Sequence, residues 1–181
     1  MNPESKSYVM IVYEEAVFVP NRTGDGAEER RNIKWKSLDL QFYKFNVDGA
    51  PFTRQNSYGM GAVIWNERGK VVLVMRYKGQ GSLSGDEVEV CSLWKAIQWA
   101  YEGGFRNLIA ERDCVGLVNK VNSSVLTYNI KFGGILCDCR VWLSQFHSSK
   151  VQYVKRKGNR IAYELTRRTA YVKRMSGCWG Q

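Results

Sequence analysis

The sequence predicts a mixed α+β domain: a sheet of mixed strand direction with helices packed on it. Three observations carry that prediction. Three β-rich runs follow one another between Phe42 and Tyr77, helical spacing takes over at Gly85, and a short β-rich run returns after Gly103-Gly104. The chain has 181 residues, 44% hydrophobic and 13% aromatic, which is enough apolar surface for one ordered core.

The elements follow in order. Phe42 to Asp48 alternates, with Tyr43, Phe45 and Val47 on one face, and ends at Asp48-Gly49. Tyr58 to Trp65 and Lys70 to Tyr77 are rich in Val, Ile and Met. Asn66-Glu67-Arg68-Gly69 between them predicts a hairpin turn. Between Gly85 and Gly103, Glu89, Leu93, Ala96 and Ala100 mark one helix face, and Gly103-Gly104 stops the helix. Phe105 to Glu111 reads as a fourth strand that delivers Asp113 at its carboxyl end. Asp113 is expected to cap a short helix, Cys114 to Val121. A longer helix over 131–146, a strand over Val151–Val154 and a basic helix over Asn159–Lys173 complete the order β-β-β-α-β-α-α-β-α. There are no internal repeats.

The domain is expected to span residues 35–174. Residues 1–34 form a poorly defined N-terminal extension, with an apolar patch (Tyr8–Pro20) and a polar run (Asn21–Asn32), and 175–181 form a tail. No apolar stretch approaches the roughly 20 residues of a membrane helix, and no secretory signal opens the chain. An intracellular, monomeric protein of nucleus or cytoplasm, without membrane contact, is the expectation. The cysteines, Cys91, Cys114, Cys137, Cys139 and Cys178, are odd in number and lack CxxC pairing, which fits reduced thiols.

Formal net charge is +10. Residues 1–34 carry five basic and six acidic side chains, so the excess belongs to the rest. It gathers in Lys150, Lys155, Arg156, Lys157, Arg160, Arg167, Arg168, Lys173 and Arg174. Such a stripe is the footprint of a polyanion partner, nucleic acid above all, though a solvated helix face explains it too. Lys155, Arg156, Lys157, Asn159 and Arg160 are the residues expected to hold it.

Acidic residues stand at telling places. Asp48 ends the first strand and Asp113 the fourth, and a crossover helix would set those strands parallel. Glu89 lies on the apolar helix face, where an acid is costly unless paired or metal-bound. Three such carboxylates suit a hard divalent cation such as Mg²⁺, which takes oxygen ligands. Each also has a duller explanation, as turn residue, ion-pair partner or helix cap, and Glu87 competes with Glu89.

These residues match a family pattern. Trp35-Lys36 with Lys44-Phe45-Asn46-Val47-Asp48-Gly49-Ala50, then Gly59-Met60-Gly61-Ala62-Val63-Ile64-Trp65-Asn66, resemble the opening of the plant ribonuclease H-like, or reverse-transcriptase-like, domain. Glu87-Val88-Glu89, Ile109-Ala110-Glu111-Arg112-Asp113 and Lys155-Arg156-Lys157-Gly158-Asn159-Arg160-Ile161-Ala162 resemble its later blocks, so the match covers roughly residues 35–172. The resemblance implies a ribonuclease H-like fold, a five-stranded mixed sheet with first and fourth strands adjacent. It also implies two-metal hydrolysis of the RNA strand of RNA–DNA hybrids, with Mg²⁺ or Mn²⁺ held by four acidic positions. Carried over by motif, Asp48, Glu89 and Asp113 are the catalytic and metal-binding positions. The family's fourth position, aspartate or histidine, is here Tyr163 with Glu164 beside it. Tyrosine is a poor Mg²⁺ ligand, and Glu164 could serve only with roughly 100° of helix rotation. Tyr153 stands where relatives often carry histidine.

Three functions compete at this point. The first is a hybrid nuclease, a metal-dependent endonuclease. The second is a catalytically impaired nucleic-acid-binding module, and the third a transposon-derived protein-interaction domain.

Overall fold

The computed structural model describes residues 8–12, 42–123 and 132–171. The strands are β1 (Tyr8–Val12), β2 (Tyr43–Phe52), β3 (Ser57–Trp65), β4 (Val71–Gln80), β5 (Asn107–Arg112) and β6 (Ser148–Tyr153). The helices are α1 (Gly85–Glu102), α2 (Val115–Asn122), α3 (Gly133–Leu143) and α4 (Arg160–Arg168). The sheet runs β1-β4-β3-β2-β5-β6. β2, β3 and β4 form an antiparallel meander, while β5 runs parallel to both β2 and β6. This contains the expected five-stranded mixed sheet, with its first and fourth strands adjacent. To its β4 edge the N-terminal patch adds β1, antiparallel from Tyr8↔Tyr77 to Val12↔Leu73.

Strand alternation sorts the sheet into two faces. Phe45 and Val47 of β2 and Leu108 and Ala110 of β5 point into a core closed by Leu93, Ala96 and Ala100 of α1 and Leu136 and Cys139 of α3. α1 lies hard against β2. A Cβ on Gly49 would stand 2.8 Å from the Val88 carbonyl and 2.9 Å from Ser92 Oγ, so only glycine allows that approach. α4 lies on the opposite face, where a Cβ on Gly61 would sit 2.8 Å from the Ala162 carbonyl.

Local chemistry sets the boundaries. β2 extends past Asp48 to Phe52 because its ladder with β3 continues to Phe52↔Ser57. α1 opens on a capping box: Ser84 N–H donates to Glu87 Oε2 at 2.7 Å and Glu87 N–H to Ser84 Oγ at 3.4 Å. That occupies Glu87 and leaves Glu89 as the helix-borne acid of the site. α2 begins at Val115 with Cys114, not Asp113, at its N-cap and no side-chain cap bond. The capping role expected of Asp113 is therefore corrected: its carboxylate is engaged elsewhere. α3 is shorter than the 131–146 span, and α4 gives way after Arg168 to a 3-10 turn, Thr169–Tyr171.

Trp99 is buried and Trp94 and Trp142 pack on the core, as their spacing suggests. Trp65 instead donates its Nε1–H to Asn46 Oδ1 at 2.9 Å. Cys91, Cys114, Cys137 and Cys139 are free thiols, and burial pushes Cys139 up to about 12. Trp35-Lys36, Lys173-Arg174, Cys178, Trp179, the tail and the extension apart from Tyr8–Val12 lie outside the described residues.

Candidate functional site

The site forms at the carboxyl ends of β2 and β5. Their ladder pairs Asn46 with Glu111, and that register carried two residues further sets Asp48 opposite Asp113. Asp48 pairs across β2–β3 with Gly61, so its side chain lies on the α4 face. It is only 5% exposed. Burial pushes its carboxyl above the usual aspartate range; Arg112 opposes this, Asp113 reinforces it, and Thr166 and Arg156 oppose it more weakly.

Asn159 ties this face together. Its Nδ2 donates to the Val47 carbonyl at 2.9 Å and to Asp113 Oδ1 at 3.0 Å, from a side chain that is itself buried. Thr166 of α4 donates its hydroxyl to the Asp48 carbonyl at 3.0 Å. The last segment of the chain is thus bonded to both carboxylate-bearing strands.

Glu89 stands on the other face. Arg112 alternates with Glu111 and Asp113, so it turns toward α1, where its Nη2 forms an ion pair with Glu89 Oε2 and its Nη1 donates to Ser92 Oγ at 2.9 Å. Arg112 is 0% exposed, whereas the Glu89 side chain keeps 24% of its surface. Burial pushes the Arg112 guanidinium down, and Asp48 is the charge that most opposes this.

The structure therefore brings Asp48 and Asp113 together and holds Glu89 apart on an arginine. Among the described residues, no three of His, Cys, Asp and Glu are disposed around one metal position. The donor set as it stands does not fit a divalent ion shared by three carboxylates.

The fourth position is occupied by an aromatic stack. Tyr163 carries both Arg156 and Arg167 against its ring, their Cζ atoms 5.2 and 5.5 Å from the ring centroid. Arg167 Nη1 also donates to Tyr163 Oη at 2.7 Å. Glu164 is exposed on the outer side of α4. The basic residues Lys155, Arg156, Lys157 and Arg160 are all exposed beside this stack. Asn159 is not among them, since its side chain is turned inward. Arg156 Nε reaches Asp113 Oδ2 at 3.8 Å, so the basic segment abuts the carboxylates directly.

A polar ladder that composition did not suggest crosses the α4 face nearby. Asn46 Nδ2 and Gln152 Nε2 donate to the two Glu111 oxygens at 3.1 and 3.0 Å, and Lys44 Nζ lies 3.3 Å from the same carboxylate. It fixes β5 between β2 and β6, and so fixes Asp113 beside Asp48. A groove of about 430 Å³ lined by Asn122, Arg140, Lys150 and Val151 contains none of the site carboxylates.

Residues 46–169 match the family model described as reverse transcriptase-like. No curated protein matches the chain. Among solved structures, ribonuclease H1 of Halobacterium salinarum NRC-1 is 18% identical, with a TM-score of 0.63 over 72% of this chain and 98% of its own. The N-terminal ribonuclease H domain of a Mycobacterium tuberculosis protein is 19% identical, with a TM-score of 0.60 over 70% of this chain and 91% of its own. LC11 ribonuclease H1, isolated from compost and crystallised with an RNA/DNA hybrid, is 14% identical, with a TM-score of 0.61 over 72% and 99%. At these identities the likeness establishes a ribonuclease H fold.

Proposed function

Because the chain belongs to the reverse transcriptase-like family, we propose that it is a nucleic-acid-binding module of the ribonuclease H fold whose ligand is an RNA–DNA hybrid or duplex. The observation that carries this reading is the contact between Arg156 and Asp113. It puts the exposed cations Lys155, Arg156, Lys157 and Arg160 at the rim of the carboxylate site, where a phosphate backbone lying along the rim meets several at once. Such contacts position a duplex without reading its sequence. The structural relative crystallised with an RNA/DNA hybrid supports that choice of ligand. We assign the function to residues 35–174 acting as a monomer, with 1–34 an extension that adds edge strand β1 to the sheet and 175–181 a tail.

The convergence of Asp48 and Asp113 favours a second reading, hydrolysis of the RNA strand with Mg²⁺ or Mn²⁺ and Glu89 as third donor. It requires Glu89 to leave Arg112.

One experiment separates them. Fluorescence anisotropy and cleavage of a labelled hybrid are measured with wild type and Asp48→Asn across a salt series. The binding reading expects salt-sensitive association by both proteins and no cutting. Metal-dependent cutting lost in Asp48→Asn would establish the nuclease instead. Absence of any salt-sensitive binding would leave a protein-interaction domain.

A further inference from the structure

The largest fully buried side chain among the described residues is Arg112, which lies between the strand-end Asp113 and Glu111 in sequence and against Glu89 of α1. A guanidinium is permanently charged, so it is stable there only with its charge matched. Glu89 pairs with one terminal nitrogen and Ser92 accepts from the other, Nε has no hydrogen-bond partner among the described residues, and Asp48 is the next carboxylate in its field. Two features of the chain force the arrangement. Alternation along β5 places Arg112 on the face of Leu108 and Ala110, and Gly49 lets α1 approach closely enough to present Glu89 and Ser92.

We propose that Arg112 is the resident cation of this site: its guanidinium holds the Glu89 carboxylate that a divalent ion shared with Asp48 and Asp113 would need as its third donor, so wild type has no use for metal there. The proposal deepens the binding reading and rests on it. The chemistry is competitive, because the Glu89 oxygen that faces Arg112 cannot face a metal at the same time. A positive guanidinium beside Asp48 also lowers the electrostatic gain from adding a second cation. Replacing Arg112 by a small neutral residue should therefore convert the pocket into a divalent-cation site.

The test is thermal unfolding in EDTA, Mg²⁺ and Mn²⁺, read on wild type, Arg112→Thr and Arg112→Lys. Wild type is expected to show no saturable metal-dependent shift. Arg112→Thr should melt lower in EDTA and recover by on the order of 5–10 °C at a metal concentration about 100 times Kd. That recovery should vanish when Asp48→Asn is added. Arg112→Lys keeps a cation in the pocket and should resemble wild type in its indifference to metal. A saturable rise in wild type that Asp48→Asn removes overturns the proposal, whether or not Arg112→Thr folds. So does a folded Arg112→Thr with no metal response. Hybrid binding by wild type in EDTA is measured alongside. Its failure sinks the binding reading and leaves the metal arms to judge Arg112 separately.

Discussion

The two faces of the sheet meet the same electrostatic problem at the ends of β2 and β5 and solve it in opposite ways. On the α1 face a carboxylate, Glu89, is paired with an arginine that is wholly buried. On the α4 face a carboxylate, Asp113, is paired with Arg156, whose side chain is 76% exposed, and is held by a neutral amide from Asn159. The chemistry of the pairs is alike; their solvation is not. A buried pair is rigid and costly to break, because whichever partner remains is stranded in low dielectric. A pair whose cation is solvated contributes little to stability, and that cation can exchange its carboxylate for another anion. The α1 side is thus built as structure and the α4 side as a surface able to bind.

The largest expected effect comes from stranding the buried cation. Glu89→Gln leaves Arg112 without its ion-pair partner and should destabilise the protein by about 3 kcal/mol, near the low end for a broken buried pair because Glu89 is partly solvated. Urea unfolding measures it. A loss no larger than that of an exposed pair would mean that Asp48 alone balances Arg112, and the contrast between the faces would collapse.

Asn159→Ala tests the neutral support of the α4 side. It removes the donor to the Val47 carbonyl, leaving a buried acceptor unpaired, and should cost about 2 kcal/mol. Because the same amide holds Asp113, hybrid affinity should fall with it. Stability lost with affinity unchanged would confine Asn159 to packing.

How much of this was legible beforehand depends on the range of the interaction. Helix α1 followed from spacing and the parallel sense of β2 and β5 from a crossover helix, whereas their adjacency was implied only by the family resemblance. Glu87 was resolvable too, since Ser84-x-x-Glu87 before an apolar run is a capping box. Arg112 had a signal that composition hides. Leu108, Ala110 and Arg112 share one face by alternation, so a charged residue was in line with the core. Its partner was not readable, because Glu89 lies far away in sequence and meets it only when Gly49 lets α1 close on β2. The Lys44–Asn46–Glu111–Gln152 ladder was hidden for the same reason: its members become neighbours only once strand order and register are known. The inward turn of Asn159 was likewise concealed within a run of basic residues.

A smaller effect of opposite sign is expected at Asp48. Its carboxyl titrates above the usual range in the folded protein, so the folded state holds its proton longer than the unfolded chain does. Stability then falls as pH rises through the ordinary aspartate range, about 3.9, up to the folded value, and the penalty persists above both. Asp48→Asn removes that penalty, so it should raise Tm at neutral pH and lose its advantage below the ordinary aspartate range. A Tm advantage equally large in acid would show that the substitution acts through packing instead of charge.

The smallest effect on stability, and the most informative about function, is expected from Arg156→Ala. Arg156 is solvated, although the Asp113 side chain is only 13% exposed, so at 3.8 Å the pair contributes about 0–1 kcal/mol and unfolding should scarcely change. Binding should change more. If Arg156 holds one backbone phosphate, its loss weakens hybrid affinity in every sequence and makes the logarithmic salt dependence shallower by about one unit. The cation–π contact with Tyr163 adds a second check, because removing Arg156 leaves Arg167 as the ring's remaining guanidinium partner in the stack and should leave Tyr163 in place. Tyr163→Phe should then keep the salt slope, since the ring that supports the stack is retained. An Arg156→Ala protein with unaltered affinity and slope would mean that Arg156 serves Asp113 alone, and that both faces of the site are structural.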